Sequence, residues 1–208
     1  MKKMLILTGP QGTGNHLWSK IFSLHPDVFG WKTLLNNYWE AHRFSEPFCK
    51  YWRDPSLLKD FDWSTHNYFF TSISIPLGIK ETKWEPNIME FSNTVESLGI
   101  DTQIAVIGRD QNILYHQQNR LRDESTLPHF MNQLDKFPDP FFLSYELLYL
   151  YKEKYLKTLN LNIPIEWNHS KINEILENDP NKKYVHSVEN YILDNCNRTG
   201  KILNKLPI

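Results

Sequence analysis

The chain has 208 residues, 40% hydrophobic and 23% charged, with a formal net charge of -1. Those totals suit one α/β domain over 1–208 with a core of its own, and so balanced a charge supplies no field to attract nucleic acid. Cys49 and Cys196 stand too far apart for a disulfide framework or a metal-ligand set. The apolar run behind Lys2 and Lys3 stops at Thr8-Gly9-Pro10, too short for a secretory signal, and no segment has transmembrane length. A soluble cytoplasmic protein without a metal or membrane partner is the expectation.

Residues 4–8 read as a short buried strand, and Gly9-Pro10-Gln11-Gly12-Thr13-Gly14 as a glycine-rich turn. The spacing predicts a helix over 15–24, stopped by His25-Pro26. Strand, turn and helix in this order form a phosphate cradle: glycines let backbone N–H groups point inward, and the helix aims its positive end at the same spot. Residues 28–31 suit a second short strand. The aromatic, charged stretch 32–70 predicts helices over the sheet edge or a lid. Residues 69–75 alternate apolar and polar as a strand does, and 77–80 suit a further one. A helix is expected over 88–98, ending at Gly99, and a buried strand over 103–108. Helices follow over 112–122, 146–159, 168–177 and 187–197, with a strand over 141–145. Alternating strands and helices predict a three-layer, P-loop-type, mostly parallel sheet flanked by helices, with ligands at the carboxyl ends of its strands.

Gly9 and Gly14 have the spacing of G-x-x-x-x-G-K-[ST], yet Asn15 and His16 replace the Lys and the Ser/Thr. The cation for the outer phosphates of a nucleotide and the hydroxyl for Mg²⁺ are thus missing, so a phosphate site remains without the parts for NTP hydrolysis. Arg109, after the strand at 103–108, would project at the carboxyl edge, where a guanidinium can grip a phosphate with two parallel bonds. Pairing with Asp110 or another carboxylate is its alternative. Arg120 and Arg122 follow on the next helix.

Taken together, these pieces resemble the P-loop sulfotransferases that use 3′-phosphoadenylyl sulfate (PAPS). Thr13-Gly14-Asn15-His16 takes the place of S-G-[ST]-[ST] in the family loop, and His25-Pro26-Asp27-Val28-Phe29-Gly30 is similar to H-P-x-[VI]-x-G. The strand ending in Arg109-Asp110 resembles the one ending in R-[DN]-P, and Ser144-Tyr145-Glu146-Leu147-Leu148 the strand that leads into Y-E-x-L. The resemblance runs from about residue 4 to 160, weakest over 32–70.

The resemblance implies that the loop of Gly12, Thr13, Gly14, Asn15 and His16 holds the 5′-phosphosulfate, with Gly9 and Gln11 also among the cofactor-binding residues. Arg109 would hold the 3′-phosphate, with Gln117 where the family has Ser and Arg198 in a loose match to its R-K-G loop. Gly12 stands where the family loop is basic, so another cation must offset charge on the departing phosphate. Lys80 suits that role through electrostatics, with His16 next. An acceptor hydroxyl also needs a base; Glu40, His42, His66 and Glu81 are the choices, Glu40 ahead of His66. The implied activity is sulfuryl transfer from PAPS to a hydroxyl or amine of a small-molecule or carbohydrate acceptor. A small-molecule kinase-like protein and a non-catalytic nucleotide- or phosphate-binding module are the alternatives.

Overall fold

The computed structural model describes residues 1–78, 83–122, 124–177 and 179–182. Five strands, β1 (Lys3–Pro10), β2 (Val28–Phe29), β3 (Tyr68–Ile75), β4 (Asp101–Gly108) and β5 (Phe141–Ser144), form one sheet in the order β2-β3-β1-β4-β5. Every pairing is parallel. The α-helices are α1 (Asn15–Phe22), α2 (His42–Ser45), α3 (Ile88–Ser97), α4 (Gln111–Arg122), α5 (Leu127–Leu134), α6 (Tyr145–Tyr151), α7 (Glu153–Thr158) and α8 (Lys171–Ile175).

Successive strand residues feed opposite faces of the sheet. Met4, Ile6, Ile73, Ile104 and Val106 pack with Phe91 and Val95 of α3 and Phe130 of α5. Leu5, Leu7, Phe70, Ala105 and Ile107 pack with Trp18, Ile21 and Phe22 of α1, Leu148 of α6 and Ile172 of α8. Two separate cores on one sheet make the three-layer α/β fold. The central strands are buried on both sides, as an all-parallel sheet requires. The polar positions of β3 have a use in that interior: Ser19 Oγ of α1 donates to Ser72 Oγ at 2.8 Å, and Asn15 Nδ2 to Ser74 Oγ at 2.8 Å. These two bonds set the rotation of α1 on the sheet.

Several elements differ from the sequence reading. The helix expected over 146–159 is two, because Lys152 takes φ 47 and ψ -121, outside any helical region. Helix α5 is an addition; Pro128 sits in its first turn, where its missing N–H costs nothing. The helix over 168–177 is shorter. Stretch 32–70 holds three 3₁₀ turns and the one-turn α2. Leu77 makes a lone antiparallel bridge with Trp84 and not a strand, while residues 79–82 and the helix expected over 187–197 lie outside the described residues. Among the described residues no helix is long and apolar enough to cross a membrane.

Candidate functional site

β1 lies between β3 and β4, where the chain's path across the sheet reverses, so its carboxyl end opens on the crevice in which such sheets bind ligands. Gly12 (φ 91) and Gly14 (φ 111) turn the chain there through the left-handed region, and Gly14 caps α1. Thr13 closes the turn, its N–H and Oγ1 both donating to the Pro10 carbonyl, at 3.3 and 2.9 Å. The N–H groups of Gly14, Asn15, His16 and Leu17 meet no acceptor among the described residues. They are the open donors of a helix start, set to receive an anion.

Gln11 has a different task from the one its place in the motif implies. Its N–H donates to Thr126 Oγ1 at 3.1 Å, and its side-chain Nε2 to the carbonyls of Pro76 at 2.7 Å and Gly78 at 2.6 Å. Its own carbonyl accepts from Gln118 Nε2 at 2.6 Å. Gln11 is thus a buried brace that ties the loop to the chain leaving β3. Gln118 and Thr126, which complete the brace, carry no motif; only helix α4 packing beside the loop reveals them.

Arg109, at the end of β4, is buried and pairs with no carboxylate among the described residues. Its Nε donates to Asn181 Oδ1 at 3.0 Å, Nη2 to the same atom, and Nη1 to both the Gly12 carbonyl and Gln117 Oε1. Its Cζ lies 4.5 Å from the centroid of the Tyr145 ring. Four of the five guanidinium N–H groups therefore go to protein acceptors, and one on Nη2 has none among the described residues. Arg109 and Gln117 stand together at the loop as expected, and Arg109 joins the loop to both α4 and Asn181.

His16 Nε2 donates to the Glu40 carbonyl at 2.6 Å, which leaves Nδ1 as the ring's acceptor. Burial pushes the His16 pKa down, and its bond to Glu40 offsets only part of this. The imidazole is neutral at pH 7. His42 stands edge-on at 4.6 Å between centroids; burial, with His16 beside it, pushes it down to about 3. The Glu40 carboxylate accepts from Trp31 Nε1 at 2.8 Å, Thr33 Oγ1 at 2.9 Å and Asn37 Nδ2 at 2.6 Å. Partial burial raises its pKa, but hydrogen bonds led by Ser45 and Thr33 outweigh that and lower it overall. So lowered and so fully engaged, Glu40 is a weak base, and its side chain does not line the cavity described next. It clasps the loop that carries Trp31 and Trp39. His66 packs on Phe29 at 5.4 Å, also away from the cavity.

A cavity of about 980 Å³ opens on the glycine loop. Among the described residues, Lys20, Arg43, Arg53, Arg109, Arg120 and Lys171 line it, against the one carboxylate of Glu174. A chain of net charge -1 and 23 Lys and Arg residues thus brings six of them to one space. Burial lowers the Lys20 pKa, with the Glu174 charge opposing. Lys20, one turn after His16, was legible from helical spacing; Arg43, Arg53 and Lys171 arrive through tertiary folding alone. The lining divides about β1. Arg109, Gln117, Arg120 and Tyr145 follow β4 and β5 on one side. Arg43, Arg53 and Trp84 belong to segments that meet β3 or the chain just past it on the other, through His42 on Ser72 and Trp84 on Leu77.

Gly12, Gly14, Asn15 and His16 all border this space. Asn15 does so with its amide committed to Ser74 and its Oδ1 buried without a donor. Lys80, Glu81 and Arg198 lie outside the described residues. Among the described residues no group of three or more His, Cys, Asp or Glu could hold a metal ion. Compared with known proteins, the chain matches no family model and no curated sequence.

Proposed function

We propose that the protein is a sulfotransferase of the P-loop kind, moving a sulfuryl group from PAPS to a hydroxyl or amine. One observation carries the reading: open backbone donors of a glycine loop lie on a large cavity lined, among the described residues, by six Lys and Arg side chains and one carboxylate. Such a space suits a multiply charged anion, and its volume is at the upper end for small-molecule sites, enough for a nucleotide and a second ligand. Position 16 carries no hydroxyl for Mg²⁺, and the Asn15 amide is turned to Ser74, which weighs against the kinase-like alternative.

In the proposed reaction the acceptor oxygen or nitrogen bonds to sulfur as the bond from sulfur to the bridging phosphate oxygen breaks. 3′,5′-ADP leaves with that oxygen's negative charge, and the acceptor's proton passes to a base. His16 replaces Glu40 in that role: it is neutral, it lines the cavity, and the Glu40 carbonyl fixes its tautomer with Nδ1 open. The loop N–H groups and Lys20 offset the developing charge without reorganising.

Thermal melting with 3′,5′-ADP tests the reading. At 100 times Kd the ligand should stabilise the fold by about 2.7 kcal/mol. At roughly 2–4 °C per kcal/mol for a chain of this size, that is a rise of about 5–11 °C. A melting point unmoved by 3′,5′-ADP but raised by ATP with Mg²⁺ would put the kinase-like reading in its place.

A further inference from the structure

We propose that the part of the cavity on the β3 side takes an acidic ring as the acceptor, a step that rests on the sulfotransferase reading for the word acceptor. On that side Trp39 lines the cavity while 62% exposed; the exposed Tyr38 lies toward Tyr149 of α6 instead. Large aromatic faces left open to water inside a concave site are stacking surfaces for a ring. The Trp39 ring stacks on His16, 5.8 Å between centroids and 23° between planes, so a ring laid on this platform comes beside the proposed base. The platform is braced, because Glu40 holds Trp31, Thr33 and Asn37 of the same loop.

Charge specifies the ring. Arg43 places its Cζ 4.5 Å from the Phe44 centroid, and Arg53 places its Cζ 4.8 Å from the Trp84 centroid. Neither has a carboxylate within ion-pair distance among the described residues. A guanidinium stacked by its face keeps its N–H edge for a carboxylate or sulfate, which it binds in bidentate fashion. Arg43 belongs to α2, whose His42 meets Ser72 of β3, and Arg53 stacks on Trp84, which bridges Leu77 just past β3, whereas Arg109, Gln117 and Arg120 follow β4 across β1. The geometry therefore separates two anion-binding regions, one for the donor phosphates and one for an acidic group on the acceptor. A uronic-acid sugar and a hydroxylated aromatic acid share the required chemistry.

Titration calorimetry in saturating 3′,5′-ADP tests this with two matched pairs: methyl glucuronide against methyl glucoside, and 4-hydroxybenzoate against 4-hydroxybenzyl alcohol. At least one acid should bind about tenfold more tightly than its neutral partner, the effect of a charge-assisted hydrogen bond. Which acid does so tells sugar from aromatic. The double variant Arg43→Gln/Arg53→Gln should lose that preference yet keep its melting point and its affinity for 3′,5′-ADP, since both side chains are exposed. Trp39→Ala should weaken acid and neutral partner alike. Equal binding within both pairs, or a preference that survives the double variant, overturns the proposal. So does loss of 3′,5′-ADP affinity in the double variant, which would give both arginines to the donor and leave the sulfotransferase reading standing. If 3′,5′-ADP fails to bind the parent protein while an arginine-dependent acid preference persists, the donor reading falls and the acidic-ring site stands.

Discussion

The ring of Tyr145 packs against Gly14 so closely that a Cβ on Gly14 would stand 2.7 Å from its Cδ2. Tyr145 opens α6 directly after β5, and Gly14 caps α1 directly after β1. The contact sets how far the loop can open, because it joins the first and last strands' exits. It also brings the Arg109 guanidinium, stacked on the same ring, over the loop.

Gly14→Ala should therefore be costly twice. An L-residue in the left-handed region loses roughly 1–2 kcal/mol. Forcing a methyl into a filled contact adds roughly 1–3 kcal/mol. Together, at roughly 2–4 °C per kcal/mol, they should lower the melting point by about 4–20 °C. Adding Tyr145→Leu should recover the steric part and not the backbone part, so partial rescue is the expected pattern. Full rescue would show that φ at this position carries no penalty.

Arg109→Ala removes the shared donor of Gly12, Gln117 and Asn181. A buried acceptor left unpaired costs about 1–3 kcal/mol, so the ligand-free protein should melt several degrees lower. The 3′,5′-ADP affinity should fall as well, through a displaced loop and the loss of the remaining Nη2 donor. Arg109→Lys should not rescue either property, since one ammonium cannot span the three residues. An unchanged melting point in Arg109→Ala would show that these bonds do not hold the loop.

Acid should destabilise the fold through the histidine pair. His16 and His42 have folded pKa values below the ordinary 6.5, about 3 for His42, so the unfolded chain takes up their protons first. Their contribution is present above pH 6.5 and is lost as the pH falls toward 3. Melting points followed from pH 7.5 to 4 should drop, and His42→Phe should flatten that drop. Equal slopes in variant and parent would remove His42 from the acid response.

Glu46 gives the opposite sign. It is fully buried, and although Thr71 Oγ1, Phe48 N–H and Ser72 N–H donate to it, burial outweighs them and pushes its carboxyl up to about 8. Folding therefore holds a proton that the unfolded chain releases above about pH 4.5. Stability should decline from there until about pH 8 and then level off. Glu46→Gln cannot titrate, so its melting profile should lack this decline whatever its absolute offset. A decline of the same steepness in the variant would assign it to other groups.

His16→Gln should leave 3′,5′-ADP binding nearly intact, since in the proposed reaction the loop meets the phosphates through backbone N–H groups. Once an acceptor is in hand, turnover should fall by about 10²–10⁴, the range for losing a general base. Glu40→Gln should cost far less, because the carbonyl that orients His16 belongs to the backbone. The reverse ranking would return the base to Glu40.

The sheet was legible in the sequence because its signals are local. Runs such as Leu5-Ile6-Leu7 and Ile104-Ala105-Val106-Ile107 admit only a strand buried on both faces, and Gly12 and Gly14 mark a turn needing positive φ. The loop and helix α1 follow from residues adjacent in the chain, and the place of Arg109 at the carboxyl edge of the sheet from the strand it ends. Helix α5 and the break at Lys152 escaped because each depends on packing against distant elements.

What the sequence alone determined is thus the parallel sheet and the place of the glycine loop on it, since hydrophobic period and glycine spacing act over a few residues. What only the tertiary structure decided is which side chains serve the cavity. Gln11 and Glu40, prominent by position, are spent on bonds to Pro76, Gly78, Trp31 and Asn37. Arg43, Arg53 and Lys171, unremarked in the chain, converge with Lys20 on one space. Hydrogen-bond partners and charge clustering are long-range quantities, and no local pattern of residue types encodes them.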